Sequence, residues 1–253
     1  ESIVILCYIV ILIKEEKTMK SIFKIFILTL FTTVYSQSFI EPFGSLPAGE
    51  EVEITLKSGE VVKGKIKSGL VALGKISWIS IIDEDGQKRK YKMKEGMLKG
   101  MRVKLGKFAK AMLKMQAASK SLVGALTADY DEMDKREWAI YELALRPKKK
   151  DKWELMQLLN PGFDSVFKVY NDPWAKETKG IGGLTGGEKK SYLVVKNGAK
   201  SVKIEKKNYK YKKQFTELFN DCESMMSKYK GKYKPKWKDF ASHIGEHHKN
   251  CSK

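Results

Sequence analysis

Residues 189–222, KKSYLVVKNGAKSVKIEKKNYKYKKQFTELFNDC, contain the pattern that decides the fold of the chain. Residues 192–196 and 201–204 are rich in the β-branched and aromatic side chains that favour strands. Asn197 and Gly198, which separate them, tolerate the positive φ that a tight hairpin turn requires. This part of the segment therefore predicts a β-hairpin.

The spacing of apolar residues changes directly after the hairpin. Beyond Glu205 they follow the pattern i, i+4, i+7, i+8 and i+11, which places them on one face of an α-helix. They are Tyr211, Phe215, Leu218, Phe219 and Cys222. We expect Asn208 to be the N-cap of this helix.

Short strand patterns upstream of the hairpin predict an α+β fold with a mainly antiparallel β body, residues 50–205. Within it, residues 50–93 alternate apolar and polar side chains between turns, which predicts a small meander or a partly closed barrel unit. Residues 106–126 are predicted to form one internal helical segment, and residues 138–205 a second β region. Residues 206–253 are predicted to be a C-terminal helical region.

Apolar residues of the internal helical segment recur at roughly helical spacing. They are Phe108, Met112, Met115, Leu122 and Leu126. We expect this face to pack against the protein's own core, as amphipathic helices in globular domains usually do. A Met-rich face that contacts a partner or a membrane surface stays open as the alternative. The acidic residues 129–137, DYDEMDKRE, are interpreted as a solvated turn.

The last apolar pattern, residues 236–251, predicts a helix whose buried side chains lie three or four residues apart. Cys251 belongs to this set, and Cys222 belongs to the buried set of the preceding helix. If the two faces pack together, the sulfur atoms come within the distance that a disulfide requires. We therefore predict a Cys222–Cys251 disulfide, with two free buried thiols as the alternative.

The first methionine, Met19, begins a segment with the form of a secretory signal peptide, residues 19–36. Two lysines precede an apolar run, and the run ends in Val-Tyr-Ser, which suits cleavage between Ser36 and Gln37. We therefore expect an exported protein that resides in the periplasm, at the outer membrane or outside the cell.

Residues 1–18 are interpreted as read-through from upstream of the true start. A competing interpretation takes residues 3–13 as a membrane segment, but their eleven apolar residues are fewer than the roughly 18–20 that span a bilayer. We expect no transmembrane helix in the mature chain. It is expected to begin with a linker rich in Pro and Gly, residues 37–49.

Lysine dominates the charge of the chain. There are 49 Lys and Arg residues against 30 Asp and Glu residues, which gives a formal net charge of +19 at pH 7. This excess suggests an anionic partner. Only four of the basic residues are arginine, whose planar side chain suits base edges and phosphates best, so we expect no nucleic-acid partner. An anionic envelope component such as a polysaccharide is the expected partner.

All three histidines lie near the C-terminus, and His243 and His247 fall on one face of the last predicted helix. Together with Cys251, four residues further on, they could offer ligands to zinc or copper. A disulfide would remove the thiolate from this set. We therefore expect no cofactor and keep a metal site at His243 and His247 as an alternative.

No residue pattern predicts a catalytic site. The chain has no G-x-S-x-G motif ahead of its histidines. The glycine-rich residues 180–187, GIGGLTGG, are followed by Glu188, where a phosphate-binding loop requires Lys. Paired carboxylates that act as general acid and base stay open as a further alternative.

Four segments of the chain are distinctive: LLNPGF at residues 158–163, KVYNDPWAKET at 168–178, GGEKKSYLVVK at 186–196 and FTELFNDC at 215–222. Together with the signal peptide and the early turn at residues 56–59, they resemble a family of exported bacterial proteins of unknown function. The resemblance implies export and a β-rich body with a helical tail. It implies no activity and no catalytic or binding residues.

These observations predict an exported, non-enzymatic binding or structural module of the cell envelope. Two alternatives stay open. One is a metal-binding envelope protein that uses His243 and His247, and the other is a hydrolase with an unrecognised carboxylate site.

Overall fold

The computed structural model describes residues 37–72, 75–120, 126, 128–147, 152–176, 190–229 and 234–252. Residues 1–36 lie outside this description, and with them the predicted read-through, the signal peptide and Ser36 of the predicted cleavage pair. Gln37 is the first residue described. The glycine-rich residues 180–187 also lie outside it.

Seven of the described strands form one antiparallel sheet that curls into a half-barrel. They are β1 (Glu51–Leu56), β2 (Val61–Ala72), β3 (Lys75–Asp83), β4 (Lys88–Lys92), β5 (Leu98–Lys104), β6 (Trp138–Leu145) and β7 (Trp153–Gln157). Their spatial order is β4-β3-β2-β1-β5-β6-β7. The curl brings β3 close to β7, where the ammonium of Lys75 lies 3.4 Å from Oε1 of Glu154.

Alternation of side chains decides which face of the central strand, β1, contacts the core. Val52 and Ile54 are buried and face the core, whereas Glu51 and Glu53 lie on the other face, where Glu51 is exposed and Glu53 partly exposed. Glu53 accepts a hydrogen bond from Arg102 of β5 on the outer face, at 2.5 Å. On the inner face, Val52 pairs with Val103, which is also fully buried. The predicted alternation is therefore confirmed in β1, whereas in β3 the consecutive residues Ile79, Ser80 and Ile81 are all buried.

The buried side chains of the curled sheet form one hydrophobic cluster, which we call the first core. A helix, α1 (Lys107–Lys120), covers it. Its buried face consists of Ala109, Leu113 and Ala117, with exposed fractions of at most 2 %. The sequence prediction chose the wrong face. Of the residues it assigned to the core, four have described side chains, and all are exposed: Phe108 by 68 %, Met112 by 39 %, Met115 by 62 % and Leu126 by 87 %. The helix carries two apolar stripes, and the stripe of smaller residues lets its backbone approach the sheet closely.

The acidic stretch after α1 is not the solvated turn that the sequence predicted. It forms a short helix, α2 (Tyr130–Lys135), whose N-cap Asp129 accepts a hydrogen bond from the backbone N–H of Glu132. Met133 is buried in the first core, and the guanidinium of Arg136 binds the carboxylate of Glu132. One apolar side chain and a good cap are enough to order this acidic segment.

The three other described strands form a second antiparallel sheet, in the order β10-β9-β8. They are β8 (Phe167–Asn171), β9 (Ser191–Lys196) and β10 (Val202–Glu205). The predicted hairpin is confirmed, since β9 pairs with β10 and both Asn197 (φ 48°) and Gly198 (φ 71°) have positive φ. Leu158, just beyond β7, pairs with Tyr170 of β8 and so joins the two sheets.

The C-terminal helical region is also confirmed. It contains α3 (Asn208–Phe219), α4 (Glu223–Lys228), a short 3-10 helix (Trp237–Asp239) and α5 (Phe240–Cys251). Two details of the prediction are wrong. Asn208 is the first helical residue, and Lys207 occupies the N-cap position; Cys222 is the N-cap of α4 and not the end of α3.

These helices bury a second, aromatic core against the small sheet. Its fully or nearly fully buried members include Phe167, Val194, Ile204, Tyr211, Phe215, Phe219, Phe240 and Ile244. The α+β class, with an antiparallel β body, an internal helix and a helical C-terminal region, is therefore confirmed. The helices of the described part of the chain are all too short or too polar to cross a lipid bilayer.

Candidate functional site

A groove of about 550 Å³ lies between strand β10 and helix α3, and we call it the β10 groove. Its lining is rich in lysine. The lining residues are Pro147, Lys200, Ser201, Val202, Lys203, Glu205, Lys210, Lys213, Gln214 and Glu217. Most of them come from the hairpin and helix of residues 189–222, because α3 packs beside the outer strand of the small sheet.

Gln214 explains how the helix is held at this edge. An edge strand presents unpaired backbone N–H and C=O groups. The Nε2 atom of Gln214 donates to the carbonyl of Lys203 at 2.8 Å, and its Oε1 accepts from the N–H of Glu205 at 3.2 Å. The side-chain amide thus takes the place that a neighbouring strand would occupy. The groove is therefore closed to strand addition at these two residues.

Two of the four lysines are held by carboxylates. The ammonium of Lys203 lies 3.0 Å from Oδ2 of Asp172, a carboxylate that is 1 % exposed and also accepts a hydrogen bond from Ser191. Lys210 binds Glu205, and this hydrogen bond holds the pKa of the Glu205 carboxyl below its usual value. These lysines position the walls of the groove.

The other two lysines are better placed to meet a ligand. The side chain of Lys213 is 81 % exposed, and its ammonium lies 3.9 Å from Glu217. Lys200 is exposed on the loop that leads into β10. Val202, 46 % exposed, and Pro147 add apolar surface beside them. The groove presents two exposed ammonium groups and an apolar wall, and this arrangement can hold an anionic group.

Known proteins give no match. No protein-family model, no curated protein and no solved structure matches this chain significantly. The resemblance that residues 153–222 suggest therefore stays a prediction. The geometry of the chain alone supports the assignment of a site.

The histidines predicted as metal ligands lie in the aromatic core. His243 is 1 % exposed, and its Nδ1 lies 2.6 Å from the hydroxyl of Tyr211. Phe215 and Tyr229 place their rings about the imidazole, at centroid distances of 5.0 and 4.9 Å. Burial lowers the pKa of His243 to about 4. The imidazole is therefore neutral near pH 7 and packs as a core aromatic residue.

His247 lies one turn further along α5 and is equally buried. Its Nε2 lies 3.3 Å from Oδ1 of Asp221, which also pairs with the ammonium of Lys196 at 2.7 Å. Burial lowers the pKa of His247 even though the Asp221 carboxylate opposes this shift. The described residues contain no group of three or more His, Cys, Asp or Glu side chains that could hold a metal ion.

Cys222 and Cys251 lie together, as the packing of the two helical faces predicts. Their Cα atoms are 5.6 Å apart and their sulfur atoms are joined in a disulfide. Cys222 is fully buried, at the start of α4, and Cys251 is the last residue of α5. The pair ties the C-terminal helix to the segment that follows α3.

The β10 groove offers little to the hydrolase alternative. Its two lining carboxylates each pair with a lysine: Glu205 with Lys210, and Glu217 with Lys213.

The β10 groove was not predicted, although the sequence contains a signal for it. Lysines at positions 200 and 203 precede the strand-to-helix junction, and lysines at 210 and 213 follow it.

Proposed function

We propose that the protein is a non-enzymatic binding module of the cell envelope and that it holds an anionic polymer in the β10 groove. The observation that carries the proposal is the exposure of Lys200 and Lys213 at a groove whose other lysines are tied to carboxylates. The lining carries four lysines and two glutamates, a net charge of +2. The envelope location rests on the signal peptide predicted at residues 19–36.

A polymer suits this groove better than a small anion. Each exposed ammonium contributes at most about 1 kcal/mol to an ion pair, which is too little to retain a single charge. A chain with repeated negative charges gains several such contacts along the surface. The formal net charge of +19 also raises the local concentration of an anionic polymer around the protein.

Binding of dextran sulfate tests the proposal, with uncharged dextran as the negative control. We expect the affinity to fall as salt rises, because screening weakens contacts between exposed charges. Replacing Lys200 and Lys213 by Ala should lower the affinity further, by about fivefold for each lysine. Uncharged dextran should not bind.

The matched control is the double variant Lys63→Ala and Lys65→Ala. It removes the same two charges from exposed positions on β2, away from the groove. Equal losses in the two double variants would mean that only net charge matters, and the proposed site would then be wrong. Salt-independent binding would also contradict the proposal.

A further inference from the structure

Helix α1 exposes an apolar face that the fold of the described chain leaves uncovered. Phe108, Met112 and Met115 follow the spacing i, i+4 and i+7, so their side chains adjoin on one side of the helix. We call these three residues the outer face of α1. The opposite side, at Leu113, is fully buried against the sheet. A helix that is apolar on both sides is typical of one with a partner on each side.

Lysines flank this face. Lys107 and Lys114 lie seven residues apart and therefore share one flank of the helix, about 100° from Phe108. Lys107 is exposed, and the side chain of Lys114 is 37 % exposed and binds Asp134 at 2.6 Å. An apolar face with Phe and flexible Met side chains, bordered on one flank by lysines, is typical of helices that lie in a lipid interface.

We propose that the outer face of α1 docks on the surface of an anionic lipid bilayer. The three apolar side chains enter the boundary between headgroups and acyl chains, and the exposed Lys107 contacts the anionic headgroups. The helix lies in the plane of the membrane and does not cross it. This contact is independent of the β10 groove, which is built from other elements.

Charge complementarity favours a lipid surface over a second copy of the chain. Each copy carries a formal net charge of +19, which opposes self-association. An anionic bilayer turns the same charges into attraction.

Co-sedimentation with vesicles tests the inference. The purified protein is mixed with vesicles of phosphatidylcholine containing phosphatidylglycerol, and with vesicles of phosphatidylcholine alone. We expect stronger binding to the anionic vesicles. The double variant Phe108→Ser and Met115→Ser should bind them at least about tenfold more weakly, because it removes most of the apolar surface that enters the lipid. Both side chains are largely exposed, so the variant should fold normally.

Two controls separate this contact from attraction by charge alone. Met97→Ser removes another exposed Met, 50 % exposed and outside α1, and should bind like the parent. Lys200→Ala with Lys213→Ala should also bind vesicles, because the β10 groove is not involved. Vesicle binding that survives in the Phe108 and Met115 variant, or that vanishes completely at high salt, would overturn the inference. A dimer that depends on Phe108 and Met115, without vesicle binding, would overturn it as well.

Discussion

The hydroxyl of Tyr211 lies 2.6 Å from Nδ1 of His243, and this contact joins helix α3 to helix α5 inside the second core. Both side chains are almost completely buried. The contact fixes α3 in the position where it forms one wall of the β10 groove. It also makes the packing of that wall sensitive to protonation of a histidine.

The first prediction concerns stability against pH. The pKa of His243 is about 4 in the folded protein against 6.5 for an ordinary histidine, so between these values the unfolded chain binds more protons. The contribution of neutral His243 to the free energy of unfolding is therefore fully present above pH 6.5, and it is lost as the pH falls towards 4. In urea unfolding, His243 should contribute about 2 kcal/mol to the loss of stability between about pH 7.5 and pH 5.

A variant assigns this loss to the buried imidazole. His243→Gln should be less stable at neutral pH but should show a clearly smaller change between the two pH values. His248→Gln is the matched control. His248 lies on the same helix as His243, but its imidazole contacts Ser165 at the protein surface. An unchanged pH dependence in His243→Gln would contradict the assignment.

The second prediction concerns the cysteine pair. Cys222 and Cys251 are 29 residues apart, and closing a loop of this length stabilises a protein by about 3–4 kcal/mol on the chain-entropy model. Reductant should lower the free energy of unfolding by about that amount, and Cys251→Ser should have the same effect without reductant. If both Cys222 and Cys251 titrate as free thiols in the purified protein without reductant, the pair is not oxidised and the prediction is wrong.

The third prediction concerns the edge of the small sheet. Gln214→Ala leaves the carbonyl of Lys203 and the N–H of Glu205 without the side-chain amide that binds them. We expect a loss of about 1–2 kcal/mol in the free energy of unfolding and a greater tendency to associate through the exposed edge. Thr216→Ala, at an exposed position on the same helix, should do neither.

The fourth prediction separates the two stripes of α1. Leu113→Ala should cost about 2–4 kcal/mol of stability, because it opens a cavity in the first core. Met115→Ala should change the stability by less than about 0.5 kcal/mol, because its side chain is 62 % exposed. Thermal or urea unfolding of the two variants measures this. The reverse order would mean that the helix faces the sheet as the sequence first suggested.

Local chemistry explains which elements the sequence predicts well. The β9–β10 hairpin depends on strand-forming residues and on a turn at Asn197 and Gly198, and all of these signals lie within a few residues. The face of α1 depends on which stripe fits the curl of a sheet assembled from distant strands. Ala109 and Ala117 favour the helix by propensity, and nothing in their local pattern shows that they also form its core contact.

The candidate site is harder to predict for the same reason. The β10 groove exists because Gln214 binds the edge of β10 and because Lys203 and Lys210 find carboxylate partners. Asp172, the partner of Lys203, precedes it by about thirty residues in the sequence, and such a contact is invisible to any short pattern. The spacing of His243 and His247 can be read from the sequence, but the sequence does not show that both rings are buried in the protein core.

A comparison of two neighbouring lysines tests the central claim most directly. Lys212 and Lys213 are both exposed on α3, but only Lys213 lines the β10 groove. Dextran sulfate binding is measured at one fixed salt concentration for Lys212→Glu and Lys213→Glu, which change the net charge equally. The account predicts a loss of affinity several times larger for Lys213→Glu. Equal losses would contradict it, because binding would then follow the net charge of the protein and not the groove.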